Sequence, residues 1–217
     1  MIRKSFVFSI LLASALNAGM FGDLAGSLMG DSKPDGTATE MQTIFQTMDQ
    51  SKATLTASVD LINSMLGDKK QLSKWQDQAK AIDKMSDDEK VPALAKLNQE
   101  KMLYATALGE NKDVSAKAKK LPNDQKTKIG TAISDILLVS FREKEAGDKA
   151  KALAKSIAAS PKSALQYAGD LPKLKDVATE TPTMLNNQAA LSKNMVTLAT
   201  SANITIQQPK PTETTSK

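Results

Sequence analysis

The sequence predicts an all-α protein, an antiparallel bundle of about five to seven helices, two of them long. Apolar residues recur at steps of three and four along most of the chain, which is the periodicity of a helix face. Glycine and proline interrupt these stretches only briefly, and short connections place consecutive helices antiparallel. No convincing alternation of apolar and polar residues indicates a strand.

The first 18 residues have the pattern of a secretory signal peptide. Arg3 and Lys4 provide a positive start, residues 5–12 are apolar, and small residues follow. This order is typical of export signals, and the apolar part is shorter than the roughly 20 residues that span a bilayer. Cleavage after Ala15 and cleavage after Ala18 both fit. We therefore expect an exported protein, either periplasmic or secreted.

Residues 19–38 are predicted to form a flexible, glycine-rich leader. Within the leader lies a candidate segment for membrane contact or self-association, formed by Phe21, Gly22, Leu24, Gly26, Leu28 and Gly30. Its glycines are four apart, a spacing that permits close helix contact in membranes. Each glycine costs about 1 kcal/mol in a helix, and Asp23 opposes insertion into lipid. A loose leader without such a role is therefore the favoured interpretation.

A single helical domain is predicted over residues 39–206, and its first helix over residues 39–66. A heptad-like seam runs along this helix, formed by Met41, Ile44, Met48, Leu55 and Ile62, with serines at two further positions. Such a seam packs against a neighbouring helix, and it is a candidate surface for a partner helix. Gly67 is predicted to end the helix.

The next two helices are predicted from their caps and breaks. One covers residues 69–84. The other follows a capping-box pattern at Ser86 and Glu89. Pro92 predicts that its regular part begins near residue 92, because helices tolerate proline only in their first turn. Gly109 is predicted to end it.

The second half of the domain is predicted to begin with a short helix over residues 114–120. The longest helix follows over residues 125–159, and its densest apolar part is residues 133–141. Short helices are expected after Ser160 and from Leu171, because proline follows both residues and is accepted at the start of a helix.

The Thr181-Pro182 pair is predicted to break the chain before a last helix over residues 183–201. Residues 207–217 are polar and contain two prolines. They are predicted to form a disordered tail.

The residue types that the chain lacks restrict its chemistry. It has no histidine and no cysteine, which excludes Ser-His-Asp catalysis, thiolate chemistry and the usual zinc and copper sites. A carboxylate-only enzyme needs two acids that face a cleft. Asp87, Asp88 and Glu89 are adjacent acids, but helix capping explains them. The ten methionines are expected to fill the core. We expect no enzyme, no metal and no cofactor.

The charge pattern also restricts the partners. The net charge is +5, but lysines alternate with acids instead of forming a basic block, so nucleic-acid binding is not expected. The leading hypothesis is an exported, non-enzymatic bundle that binds a macromolecular partner or itself through helix faces. The alternative is a membrane-active protein that uses residues 19–30 and the apolar patch 133–141.

Overall fold

The computed structural model describes residues 36–207, and these residues form an all-α structure with no strand. The prediction of an all-α helical bundle is confirmed. Within this part of the chain, no helix is both long enough and apolar enough to cross a membrane. In chain order the helices are α1 (Gly36–Leu66), α2 (Lys69–Ile82), α3 (Asp87–Glu110), α4 (Lys112–Lys119), α5 (Asn123–Ala159), α6 (Pro161–Gln166) and α7 (Leu171–Ala202).

Three long helices, α1, α5 and α7, form the centre of the fold, and α5 makes extensive contacts with both of the others. One apolar cluster joins the end of α1, the start of α5 and the end of α7. A second cluster joins the start of α1, the later half of α5 and the start of α7. The pairing of opposite ends shows that α5 runs antiparallel to both of its neighbours.

A smaller third cluster holds α2 against α3. Trp75 is 4% exposed, and its ring meets that of Tyr104 edge to face, with 5.2 Å between the centroids. This arrangement suits the aromatic quadrupoles. The Tyr104 hydroxyl also accepts a hydrogen bond of 2.9 Å from the backbone N–H of Asp68, which fixes the α1–α2 turn.

The predicted break at Pro182 is wrong, because α7 continues through it as one helix of 32 residues. Proline removes one backbone donor and normally bends or ends a helix. Here the neighbouring Thr181 is buried and donates its hydroxyl to the Val177 carbonyl, at 2.6 Å. Thr181 packs against Gly147 of α5, whose missing side chain permits the close approach. Tertiary packing thus outweighs the local preference against helix.

Pro92 likewise lies inside α3, so the prediction that the helix begins near residue 92 is wrong. The helix begins at Asp87, directly after Ser86, as the capping pattern indicates. The Ser86 hydroxyl donates to the Glu89 carboxylate at 2.8 Å. Three acids in the first turn, Asp87, Asp88 and Glu89, favour this start through the helix dipole.

The chain returns across the start of α5 after α7 ends. Asn203 adopts a left-handed conformation, with φ of 55°, which is a common way to end a helix. Ile204 is then buried in the first cluster, and the Ser134 hydroxyl donates to the Gln207 carbonyl. Gly130 lies directly under the Thr205 carbonyl, where a side chain would collide.

Gly109 has a different role from the predicted one. It does not end α3, which continues to Glu110. Instead it allows α7 to approach, because a Cβ at residue 109 would lie 2.6 Å from the carbonyl oxygen of Asn194. The Asn194 amide donates to the Thr106 carbonyl and to the Glu110 carboxylate, at 3.1 and 2.8 Å. This contact joins α3 to α7.

We expect Gly109→Ala to lower the free energy of unfolding by about 1–3 kcal/mol, because overpacking forces α3 and α7 apart. Helix propensity alone would give the opposite sign, since alanine is favoured over glycine by up to about 1 kcal/mol. The measurement is urea unfolding followed by circular dichroism. Gly36→Ala is the control, because no atom lies within 4 Å of its added Cβ. Equal stability of Gly109→Ala and the wild type would contradict this account of the α3–α7 contact.

Candidate functional site

The structure places most of the predicted partner-facing seam inside the chain's own core. Met41, Ile44, Met48 and Ile62 are at most 4% exposed, and Leu55 is half-buried against the first cluster. The heptad pattern is explained by contacts of α1 with α5 and α7. In this conformation the seam offers no open surface to a partner helix, so the structure does not support that assignment.

The second predicted site lies outside the described residues. The glycine-spaced segment of the leader precedes Gly36, where α1 begins. The last three residues assigned to the leader belong to α1. The signal-peptide pattern and residues 208–217 also lie outside the described part.

A polar layer, which the sequence did not reveal, separates the two large apolar clusters. It consists of Ser51 on α1, Ser140 and Glu143 on α5, and Gln188 on α7. The Gln188 amide donates to one carboxylate oxygen of Glu143 at 2.6 Å. The Ser140 hydroxyl lies 3.0 Å from the Gln188 carbonyl oxygen, to which it donates. The Glu143 side chain has no exposed surface.

Burial raises the pKa of the Glu143 carboxyl above its ordinary range. The hydrogen bond from Gln188 and the nearby charge of Lys52 act in the opposite direction, but they do not cancel this effect. The second carboxylate oxygen and the Ser51 hydroxyl have no hydrogen-bond partner among the described residues. The ionised carboxylate is therefore only partly compensated, which costs stability.

The polar layer does not have the arrangement of a carboxylate enzyme. Such an enzyme needs two acids on either side of a substrate, whereas the partner of Glu143 is an amide and Glu143 itself has no exposed surface. In residues 36–207, no group of three or more acidic side chains is placed to hold a metal ion. The layer is better explained by a role in fixing the alignment of α5 and α7 along each other, because only one alignment pairs Glu143 with Gln188.

The side of α5 that faces away from α1 and α7 carries an unusual exposed aromatic ring. Phe141 is 74% exposed, whereas Ile133, Ile136 and Val139 on the same helix have no exposed surface. We call this surface the outer face of α5, and it consists of Leu138, Phe141, Glu145, Asp148 and Ala152, with Arg142, Lys144 and Lys149 along its edges.

The outer face of α5 is apolar at one end and charged at the other. Lys144 pairs with Asp148 at 2.8 Å, and Lys149 pairs with Glu145 at 2.7 Å. Both pairs are one helical turn apart and well exposed, so they contribute little to stability. The surface is open and shallow. A broad ligand such as a helix or an extended segment fits it better than a small molecule does.

The sequence contained a signal for this exposed ring. Inward-facing residues of α5 follow steps of three and four, as in Ile129, Ile133, Ile136 and Val139. Phe141 falls two residues after the last of these, on the opposite side of the helix. Treating residues 133–141 as one apolar patch concealed this difference in phase.

Comparisons with known proteins give no relative: no family model, no curated protein and no solved structure matches this chain.

We expect Glu143→Gln to stabilise the protein increasingly as the pH rises. The raised pKa means that the folded state holds its proton more tightly than the unfolded chain. The stability that this confers is fully present below the ordinary glutamate pKa of about 4.3 and is lost as the pH rises through the raised pKa. Glutamine keeps the contact with Gln188 but does not titrate. Its advantage should grow by about 1.4 kcal/mol for each unit by which the pKa is raised.

The measurement is urea unfolding of both proteins from about pH 4 to 8, the range above the ordinary glutamate pKa. Glu145→Gln is the control, because its carboxylate is 69% exposed and lies only two residues away. A difference between Glu143→Gln and the wild type that stays constant with pH, or that shrinks as the pH rises, would be inconsistent with a desolvated Glu143.

Proposed function

We propose that this protein is an exported, non-enzymatic helical bundle that binds a protein partner through the outer face of α5. The observation that carries the proposal is Phe141, whose ring is 74% exposed in a helix whose other large apolar residues are buried or half-buried. Aromatic side chains with a charged rim are the usual anchors of protein interfaces.

The energy available from this anchor is substantial. A phenylalanine buries about 150–250 Å² when it is fully covered. At about 25 cal/mol per Å², covering the exposed part of the ring is worth a few kcal/mol. Leu138, next to it along the outer face, is half-buried and extends the apolar surface. The charged residues beyond them provide a rim that selects a partner by charge.

Two observations support binding over catalysis. The chain has no histidine and no cysteine, so the commonest proton-transfer and nucleophilic groups are missing. The one buried carboxylate described above, Glu143, has no exposed surface that a substrate could reach. Export is proposed from the signal-peptide pattern of residues 1–18.

The membrane-active alternative is weaker. It relied on residues 19–30, which lie outside the described part, and on the patch 133–141. The structure buries Ile133, Ile136 and Val139 of that patch in the bundle and exposes mainly Phe141. A single exposed ring is an ordinary protein-binding anchor, whereas interfacial helices present a wide apolar face to lipid.

We expect Phe141→Ala to weaken partner binding at least about tenfold, because truncation of an aromatic anchor commonly costs 2 kcal/mol or more. The measurement is quantitative pull-down from the envelope and medium fractions of the source cells, with immobilised wild type and variants. Leu165→Ala is the control, because Leu165 is 81% exposed but lies on α6, outside the outer face of α5.

Equal recovery of the same proteins by Phe141→Ala and the wild type would contradict the proposal. A parallel flotation assay uses vesicles of phosphatidylcholine and phosphatidylglycerol. Flotation that depends on Phe141, together with a pull-down that does not, would favour the membrane-active alternative. Unfolding midpoints of both variants should match the wild type, because both side chains are largely exposed.

A further inference from the structure

The end of the bundle where α1 stops and α5 starts collects an excess of lysines. We infer that this end binds the surface of an anionic lipid bilayer by charge. It is formed by residues 66–70 and 117–128, and we call it the basic end. The inference depends neither on the outer face of α5 nor on the protein partner proposed for that face.

The fold brings the two stretches of the basic end together, although they are distant in sequence. The Lys117 ammonium donates to the Leu66 carbonyl at 3.3 Å, which joins the last turn of α4 to the end of α1. Leu66, Ala118 and Ile129 are buried in one apolar cluster, and Leu121 packs against it. The ends of α1 and α4, the start of α5 and the adjoining start of α2 therefore meet at one end of the bundle.

The basic end carries the whole net positive charge of residues 36–207. It has seven lysines and two acids, whereas the other residues of this range have 17 basic and 18 acidic side chains. Six of the seven lysines are fully or partly exposed and form no ion pair with a described residue: Lys69, Lys70, Lys119, Lys120, Lys126 and Lys128. One of the two acids, Asp68, is engaged as the N-cap of α2.

Helix stability explains only part of this charge. Lys117 and Lys119 lie in the last turn of α4, where the helix dipole favours cations. Lys69 and Lys70, in contrast, are the first two residues of α2, a helix with no acid in its first turn. The same dipole disfavours cations at this position. These two lysines therefore work against the stability of α2, and an anionic surface outside the chain would offset that effect.

The chemistry of the basic end favours lipid headgroups over nucleic acid. All of its cations are lysines, whereas arginine provides the planar fork that binds a phosphate through two hydrogen bonds. The rings of Trp75 and Tyr104 pack on each other, so neither is presented for stacking on bases. Lysine clusters of this size attract anionic membranes. Between the lysines, Pro122 is exposed and Leu121 is half-buried, which gives a small apolar tip that can contact the headgroup layer.

The test is flotation of the full chain with vesicles of phosphatidylcholine, with and without phosphatidylglycerol. We expect the wild type to bind the anionic vesicles at least about tenfold more tightly, because each lysine near an anionic surface strengthens binding roughly fivefold. This preference should be lost as the salt rises from about 0.1 to 1 M, because the Debye length falls from about 10 to 3 Å. The triple variant Lys119→Gln, Lys120→Gln and Lys128→Gln should bind the anionic vesicles at least about tenfold more weakly.

The matched control combines Lys155→Gln, Lys162→Gln and Lys175→Gln. These lysines are also exposed and form no ion pair with a described residue, and their helices meet at the opposite end of the bundle. Lys155 is 27 residues of helix from Lys128, or about 40 Å, which is several Debye lengths. The control should therefore change binding less than about twofold. Both triple variants should unfold at the wild-type midpoint, because all six side chains are exposed.

Equal losses in the two triple variants would reveal an effect of net charge alone and would overturn the inference. Equal binding of the wild type to neutral and anionic vesicles would do the same. Duplex DNA at the same phosphate concentration should not release the protein from the vesicles, and release would favour nucleic acid instead. Flotation that is lost in Phe141→Ala but kept in the lysine variant would overturn the inference in favour of the membrane-active alternative.

Discussion

Burial of α5 between α1 and α7 is the interaction on which the rest of the structure depends. The chain has no disulfide, because it has no cysteine, and only 4% of its residues are aromatic. Stability must therefore come from aliphatic burial along the long helices. The inward residues of α5 contribute to both large clusters, and its outward residues form the exposed face. A helix flanked by two neighbours leaves one side open, and in this bundle the open side carries Phe141.

The polar layer within this core favours specificity over stability. Aliphatic side chains on long helices pack in several registers that are one turn apart, since the periodicity of each face is the same. The contact between Glu143 and Gln188 occurs in only one of these registers. Its carboxylate is desolvated and incompletely hydrogen-bonded, which costs stability in the native alignment. A shift of register that removed Gln188 would cost more, because the buried carboxylate would lose its amide donor. The same alignment determines which residues of α5 face outward.

The fold was largely predictable from the sequence, and the errors occurred where tertiary contacts outweigh local preference. Apolar periodicity identified α1 and α5. The predicted break at Pro182 was wrong because proline destabilises a helix locally, whereas the compensating contact joins residues distant in sequence. Thr181 and Gly147, which form that contact, are 34 positions apart. Glu143 was missed because a charged residue between Arg142 and Lys144 is typical of a solvated helix surface. Only the positions of α1 and α7 show that it is buried.

The candidate site could be predicted only in part, for a related physical reason. Periodicity identifies a face that will be buried, but it does not distinguish burial within the chain from burial by a partner. Met41, Ile44, Met48 and Ile62 met the requirement for a partner seam, and the core of the chain covers them. An exposed aromatic out of phase with the core is more informative, because intramolecular packing cannot explain it. Phe141 is 74% exposed and contributes little to the packing of the bundle, which is why the proposed partner contact is placed on the outer face of α5.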